Sequence, residues 1–244
     1  MFSIVVPAHN EQEHLSGCLD AIDLAVRRVG RLGASRYTAE VIVVANRCTD
    51  RTKAIAIASG ATVVENAGRN ISAVRNAGAW AATGEVLVTI DADSLIHPNA
   101  LVEIERHLAT GRYVGGGCAF VPERTSLGIR TTLAITRTAV ALTRLGGAMF
   151  WCSSSDFSAV GGFDEQLTLA EDLDFARRLR AHGRLTNRRF TNLRDVPVIT
   201  SCRKFDRFGD WHMLGMVRHV RSILASQRGT DTTFVDSYFY DFNA

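Results

Sequence analysis

Uncharged, β-branched runs alternate with amphipathic stretches along the first hundred residues of the chain. The runs around Ile4, Val43 and Val88 are too short for helices, and their composition predicts buried strands. The predicted strands are 2–6, 40–45, 61–65 and 85–90, and the predicted helices begin near residues 10, 50 and 72. Repeated strand–helix units predict an α/β fold with a doubly wound, mostly parallel sheet and helices on both of its faces.

Several residues are expected to mark the ends of these elements. Pro7 should stop the first strand, Asn10 should cap the first helix, and Gly84 should close the third helix in the usual left-handed conformation. The triplet 115–117 consists of glycines only, which predicts a strand that another backbone approaches closely, or equally a bulge.

Polar side chains follow three of the predicted strands directly, in segments 7–11, 46–50 and 91–93. Because the carboxyl ends of parallel strands lie at one edge of a sheet, where open α/β sheets bind ligands, we expect these segments to form one site. Agreement among three strand ends indicates a site more strongly than any single end does.

The segment Asp91-Ala92-Asp93 ends the most apolar of these strands. In a regular strand the two aspartates would point to opposite sides, so both can serve one site only if the strand ends there and the backbone turns. Ser94 and segment 97–99 are predicted to supply that turn. Carboxylates on a loop suit Mg²⁺ or Mn²⁺, which usually bind together with substrate phosphates. The alternative is ordinary turn and helix-cap chemistry.

Composition narrows the functional classes. The chain has 244 residues, 46% hydrophobic and 22% charged, which is typical of one ordinary globular domain. Its net charge of +3 is too small to indicate a nucleic-acid partner. Its five scattered cysteines favour a reducing compartment over a disulfide framework or a zinc site. Because the sequence shows neither a signal peptide nor an apolar run long enough to span a bilayer, we expect a cytoplasmic protein.

Neither a P-loop nor the usual dinucleotide fingerprint occurs in the sequence. Taken in order, however, seven short segments resemble family 2 glycosyltransferases, enzymes with the GT-A fold. The matching segments are 5–11, 43–52, 75–78, 84–85, 91–93, 160–165 and 171–175. The resemblance spans roughly residues 2–180, and the ordered set is specific although each piece is weak.

The resemblance implies a nucleotide-sugar site. By position, Pro7, Ala8 and Glu11 would contact the nucleoside, and an acceptor-only carboxylate such as Glu11 suits ribose hydroxyls. Arg75 would lie beside the base or a phosphate. In the Asp-x-Asp motif, which includes Ala92, the resemblance implies that Asp93 binds the Mn²⁺ or Mg²⁺ that bridges the diphosphate. Asp91 would then contact the ribose, or it would contact groups that themselves bind the metal.

The segment after the second strand departs from the family pattern. The family commonly has Asp-Asp-Gly-Ser-x-Asp, whereas this chain has Ala45-Asn46-Arg47-Cys48-Thr49-Asp50. Asn46 and Asp50 are assigned to the nucleotide site, but an asparagine both donates and accepts hydrogen bonds where an aspartate only accepts them. UDP is therefore the expected nucleotide of the donor, with GDP left open.

The Glu171-Asp172 pair supplies the expected chemistry. In inverting members of the family its aspartate is the general base, so Asp172 would take the proton from the acceptor hydroxyl. The alternative for Asp172 is a simple helix cap, whose pKa should be low rather than raised. His212 is a candidate further metal ligand, because related enzymes often add a late histidine. A lone histidine on an amphipathic helix is, however, more often a surface or core residue.

The rest of the chain suggests partners. Arg130, Arg137 and Arg144 recur every seven residues, which predicts a basic stripe on one helix. This stripe could meet anionic lipid at the inner face of a membrane, or an acceptor that is phosphorylated or lipid-linked; the alternative is an ordinary solvated face. Segment 203–208 mixes cations and aromatics and could contact diphosphate or acceptor. The aromatic tail 238–242 could dock on the body or on a second subunit in a homodimer.

These observations predict a GT-A domain over residues 1–200 and a helical, aromatic extension over residues 201–244. Within the domain, residues 1–100 would bind the nucleotide and residues 101–200 would carry the acceptor site and the catalytic base. The predicted activity is metal-dependent, inverting transfer of a sugar from a nucleotide diphosphate sugar to a hydroxyl acceptor. The alternatives are a non-catalytic sugar-nucleotide-binding protein and a nucleotidyltransferase on a similar scaffold.

Overall fold

The computed structural model describes residues 1–32, 38–143, 148–167 and 170–212. The strands are β1 (Phe2–Ala8), β2 (Ala39–Asn46), β3 (Thr62–Asn66), β4 (Val86–Ile90), β5 (Ser94–Leu95), β6 (Tyr113–Pro122), β7 (Met149–Ser153) and β8 (Arg189–Thr200). The helices are α1 (Leu15–Leu32), α2 (Thr52–Ala58), α3 (Ile71–Ala81), α4 (Ala100–Ala109), α5 (Leu127–Thr143), α6 (Ser154–Val160), α7 (Glu171–Leu185) and α8 (Arg203–Phe208).

The described strands form one sheet in the order β3-β2-β1-β4-β7-β6-β8-β5. The four strands at the amino-terminal end of the chain pair in parallel, as predicted. Strand β7 is antiparallel to both β4 and β6, and β8 returns parallel to β6. The carboxyl ends of β1, β2 and β4 therefore lie at one edge of the sheet.

Helices cover both faces of the sheet, which confirms the predicted α/β class. The alternating side chains of β1 show the two faces: Phe2, Ile4 and Val6 pack into one core together with residues of α1 and α4. Val5 points the other way and packs with Val74 of α3. Because β1 is buried throughout, its apolar run is continuous rather than alternating.

The glycine triplet lies within β6, and both interpretations of it are confirmed. A side chain on Gly116 would overlap the Thr191 carbonyl of β8, so the neighbouring backbone does approach closely. Gly115 has a φ of +150°, and the register of β6 against β8 shifts between Tyr113 and Gly115, which is a β-bulge. Glycine is therefore required twice in succession for different reasons.

Three of the expected element ends are wrong. Strand β1 continues through Pro7 to Ala8, because its pairing with β2 runs to Ala8, although its pairing with β4 ends at Val5. Asn10 has a left-handed φ of +51° and accepts a hydrogen bond from the Thr49 amide, and α1 begins only at Leu15. Gly84 does not adopt the left-handed conformation. A side chain at this position would overlap Ser3 and the backbone at the start of β1, so glycine is required for packing instead.

None of the helices in the described part of the chain is long and apolar enough to cross a membrane. Of the predicted basic stripe, Arg130 lies exposed on α5. The side chain of Arg137, residue Arg144 and the aromatic tail 238–242 lie outside what the structure describes.

Candidate active site

The backbone turns at the end of β4, as the Asp-x-Asp motif requires. The strand ends at Ile90, and the Ser94 amide donates to the Asp91 carbonyl at 3.1 Å, closing the turn. Ala92 is buried within the turn, whereas the Asp91 side chain is 46% exposed. The predicted contribution of segment 97–99 is wrong, because β5 comes directly after the turn and that segment lies beyond it.

Arg75 on α3 bridges this turn to the start of α7. Its guanidinium donates to Asp91 Oδ1 at 3.0 Å and to Glu171 Oε1 at 2.6 Å, and it lies 5.4 Å from the centre of the Phe163 ring. Burial of this side chain alone would lower the pKa of Arg75, but the two carboxylates raise it. A charged guanidinium thus holds the end of β4 and the first turn of α7 together.

Asp172 follows Glu171 in the first turn of α7 and does not behave as a simple cap. The residue before the helix, Ala170, is left-handed and makes no side-chain cap, and Asp172 Oδ1 accepts a hydrogen bond from the amide of its neighbour Leu173 at 2.7 Å. Burial raises the pKa of Asp172, and the Glu171 carboxylate raises it further, although Arg75 opposes both. The low pKa expected of a cap is therefore wrong. A carboxylate with a raised pKa is better suited to accept a proton.

A second ion-pair cluster lies beside the turn. Arg203 at the start of α8 donates to both oxygens of Glu11 at 2.7 Å and approaches Asp93 Oδ2 at 3.1 Å. Burial raises the pKa of Glu11 and of Asp93, with Arg203 opposing the shift at each. The Lys204 pKa is lowered by burial and partly restored by Asp93. The buried Glu11, the half-buried Asp93 and two cations therefore meet at this edge of the sheet.

The two clusters are neighbours. Asp91 raises the pKa of Asp93, and it contributes to the raised pKa of Asp172 as well. Asp91 and Asp93 belong to one turn, and the Arg75 guanidinium links Asp91 to Glu171, the residue directly before Asp172. The structure therefore brings Asp93 and Asp172, which are far apart in sequence, to the same rim of the sheet.

The loop after β2 is held by its own polar side chains. The buried Asn46 amide donates to the Asn66 carbonyl at 2.9 Å and to the Gly68 carbonyl at 2.7 Å. Asp50 Oδ1 accepts from the Thr52 amide at 2.9 Å, and hydrogen bonds of this kind lower the Asp50 pKa despite its partial burial. Both side chains hold the loops that follow β2 and β3 in place, and their contact with a nucleotide stays a prediction.

The end of β1 brings the remaining predicted nucleoside contacts to the same edge. Pro7 and Ala8 are buried and form the last two pairs of β1 with β2. The Ala8 carbonyl accepts a hydrogen bond from the Cys48 thiol at 3.4 Å. Glu11 follows three residues later, and its amide donates to Thr52 Oγ1 at 2.7 Å. Three strand ends therefore contribute to one rim, as the sequence predicts.

His212 lies beside α8. Its Nδ1 is 2.7 Å from the Gly209 carbonyl oxygen, and its ring contacts those of Phe205 and Phe208 at 4.9 and 5.7 Å between centres. Within the described ranges, no group of three or more His, Cys, Asp or Glu side chains is arranged to hold a metal ion. The metal-binding role of His212 stays a prediction.

The donor set fits a hard divalent cation that keeps some ligands from outside the protein. Asp93 and Glu11 offer carboxylate oxygens close enough to share one guanidinium, so this position already holds a positive charge. Mg²⁺ and Mn²⁺ favour such oxygens and commonly take one or two protein carboxylates, with phosphates and water completing the shell.

The sequence does not predict the ion pairs that Arg203 and Glu171 form. Segment 203–208 was expected to contact ligand, but its ion pairs with Glu11 and Asp93 join residues up to 192 positions apart, and no local pattern indicates them. Arg75 was expected beside the nucleotide, and the structure places it between Asp91 and Glu171. The sequence does contain one indication of these ion pairs: the acids that form them have no cationic neighbour in the sequence, and an acid that becomes buried requires a cationic partner.

Comparison with known proteins shows which proteins this chain is similar to. A sequence model of glycosyl transferase family 2 matches residues 3–155. None of the curated proteins searched matches the sequence significantly. Solved structures do match, 349 chains in all.

Three solved structures illustrate the likeness. TarS 1-349 from S. aureus has a TM-score of 0.61 at 16% identity, covering 99% of this chain and 70% of that one. The mannosyltransferase PcManGT from Pyrobaculum calidifontis, in complex with GDP-Man and Mn²⁺, has a TM-score of 0.63 at 20% identity, covering 89% and 64%. Glucosyl-3-phosphoglycerate synthase from Mycobacterium tuberculosis, in complex with Mn²⁺ and UDP-Glc, has a TM-score of 0.63 at 20% identity, covering 96% and 80%. These likenesses confirm the predicted GT-A fold.

Proposed function

Because the chain belongs to glycosyl transferase family 2, we propose that this glycosyltransferase moves a sugar from a nucleotide diphosphate sugar to a hydroxyl acceptor, with inversion at the anomeric carbon. The observation that carries the proposal is the Arg75 bridge. It joins the turn that contains Asp93 to the helix start that contains Asp172, so a cation-binding acid and a basic carboxylate would face one bound donor.

The proposed reaction is a single displacement. The acceptor oxygen attacks the anomeric carbon as its proton passes to Asp172, and the bond from that carbon to the diphosphate oxygen breaks with its electron pair leaving on the nucleoside diphosphate. A carboxylate whose pKa is raised by burial holds that proton better than an exposed aspartate would. No covalent intermediate is needed, because one base on the acceptor side suffices for inversion.

Asp93 is the residue that would hold Mn²⁺ or Mg²⁺. When bound, the cation neutralises the charge that grows on the departing diphosphate. The protein positions Asp93 through the turn after β4, and the neighbouring Arg203 and Lys204 add positive charge on the same side. The structural neighbours that were solved with nucleotide sugars also hold Mn²⁺ in two cases, which supports a cation here.

The proposed donor carries UDP, with GDP as the alternative. The neighbours were solved with UDP-GlcNAc, UDP-Glc and GDP-Man, so this fold accommodates both bases. Glu11 would accept hydrogen bonds from the ribose hydroxyls. The proposed acceptor is a hydroxyl compound; a phosphorylated or lipid-linked one would suit the predicted basic stripe, of which Arg130 lies exposed on α5.

A thermal-shift panel tests the proposal. We expect one of UDP-glucose, UDP-N-acetylglucosamine, GDP-mannose or dTDP-glucose to raise the melting temperature in the presence of Mn²⁺ and to raise it less in EDTA, because a ligand that binds only the folded state stabilises it. A UDP-sugar should give the largest shift. A panel in which no nucleotide sugar shifts the melting temperature, with or without Mn²⁺, would contradict the proposed function.

A further inference from the structure

The ion pairs of Arg203 occupy the place where the proposed donor would need free carboxylates. The guanidinium donates to both oxygens of Glu11 at 2.7 Å and lies 3.1 Å from Asp93 Oδ2. The Glu11 side chain is only 7% exposed and that of Asp93 only 21%. Two acids this buried and this close repel each other unless a cation lies between them.

The backbone that carries Arg203 is anchored firmly to the same turn. The Ser201 amide donates to the Asp93 carbonyl at 3.3 Å, and the residue before it, Thr200, pairs with Ser94 of β5. The Cys202 amide donates to Glu123 at 2.9 Å. The long Arg203 side chain can therefore change partners by rotation about its own bonds while its backbone stays in place.

We propose that Arg203 is a displaceable counter-ion, whose guanidinium neutralises Glu11 and Asp93 before the donor binds and gives up Asp93 to the divalent cation when it does. This inference rests on the proposed function, because it takes Asp93 as the metal-binding acid. The displaced guanidinium stays beside the site and can pair with the diphosphate that arrives with the cation, since an arginine fork matches phosphate oxygens well.

The proposal makes metal and nucleotide binding cooperative. Without nucleotide, a divalent cation must take Asp93 from Arg203 and then lie beside a guanidinium that keeps only Glu11 as its partner, so the two positive charges repel and metal alone should bind weakly. With nucleotide, the diphosphate offers Arg203 new partners, and the same displacement costs less. Linkage requires that each ligand then tightens the other by the same factor.

The test is a titration of the whole 244-residue chain with Mn²⁺ alone, in which the paramagnetic resonance signal of free Mn²⁺ reports binding. We expect Arg203→Gln to bind Mn²⁺ at least about tenfold more tightly than wild type, because close charge pairs in partly buried sites couple by more than the 1.4 kcal/mol that a tenfold change represents. Arg203→Lys, which keeps the charge but cannot span both acids, should fall between the two. The matched control is Arg207→Gln, an exposed arginine of the same helix, which should bind as wild type does.

Unchanged or weaker Mn²⁺ binding by Arg203→Gln would overturn the proposal, as would an equal gain in Arg207→Gln. If Arg203→Gln fails to fold, as a thermal melt would show, the comparison of Arg203→Lys with wild type decides in the same way. A further titration of wild type with Mn²⁺ and UDP together separates this proposal from the proposed function. If wild type binds Mn²⁺ together with UDP but the Arg203 variants do not bind Mn²⁺ more tightly, only the counter-ion proposal is contradicted. If Mn²⁺ does not bind under any condition, the proposed metal site itself is contradicted.

Discussion

Asp172→Asn should lower kcat for sugar transfer by about 10²- to 10⁴-fold, the range that a positioned general base contributes. The substitution preserves the shape of the side chain and its carbonyl oxygen, which can still accept from the Leu173 amide at 2.7 Å. It removes the negative charge of the carboxylate and, with it, the ability to take a proton. Donor binding, measured by thermal shift with Mn²⁺ and the best ligand of the panel, should therefore change little.

The pH dependence provides a second readout of the same residue. Asp172 acts as a base only when it is unprotonated, and its pKa is raised above the ordinary aspartate value of 3.8. The wild-type kcat/KM should rise with pH through a limb that lies above that value, and the residual rate of Asp172→Asn should lack this limb. Asp174→Asn is the matched control, because Asp174 lies in the same turn but is bound to Arg178 at 2.6 Å. An equal loss in both variants would contradict the role of Asp172.

Asp93→Asn should remove most of the metal dependence of donor binding. Replacement of a carboxylate by an amide takes away the negative charge that holds a hard cation, and the loss in kcat/KM at a fixed Mn²⁺ concentration should be about 10²-fold or more. Addition of Mn²⁺ should no longer raise the melting temperature in the presence of the nucleotide sugar. The fold should persist, since Arg203 keeps its two bonds to Glu11.

Asp20→Asn is a suitable control for Asp93→Asn, because Asp20 is an exposed acid on α1. It makes the same chemical change without touching the turn after β4. A Mn²⁺ response that survives unchanged in Asp93→Asn would show that another residue holds the cation, and His212 would be the next residue to replace.

The sheet and its reactive edge could be predicted from sequence because the responsible signals are local. Strand β4 is a continuous apolar run, so its position is apparent, and the rule that parallel strands end at one edge brings Asp93 near Glu11 without any structure. The turn at Asp91 to Asp93 was likewise required by the two-residue period of a strand. These predictions depend on neighbours in the chain or on a general rule of topology.

The ion pairs could not be predicted, because they depend on residues that are distant in the sequence. Arg75 pairs with Glu171 across 96 positions, and Arg203 pairs with Glu11 across 192. The raised pKa of Asp172 has the same origin. A helix start alone lowers the pKa of an aspartate, whereas the burial and the Glu171 carboxylate that reverse this shift appear only once the chain is folded.

Two of the three element ends that were predicted wrongly, those at Pro7 and Gly84, have one physical cause. Pro7 and Gly84 were interpreted through intrinsic backbone preference, the proline as a strand breaker and the glycine as a left-handed helix end. In the folded protein Pro7 remains within β1, and Gly84 is needed because β1 packs directly against it. Packing across the sheet decided both positions, and sequence preference describes only the isolated chain.

The central claim is that one carboxylate, Asp172, acts as the general base for a single displacement at the anomeric carbon. The most direct test is the configuration of the sugar first released when the protein slowly hydrolyses UDP-glucose, or the best donor of the panel, in the presence of Mn²⁺ with water as the acceptor. Proton NMR distinguishes the two anomers before they interconvert. From α-linked UDP-glucose we predict β-glucose as the first product, and first formation of α-glucose would contradict the account.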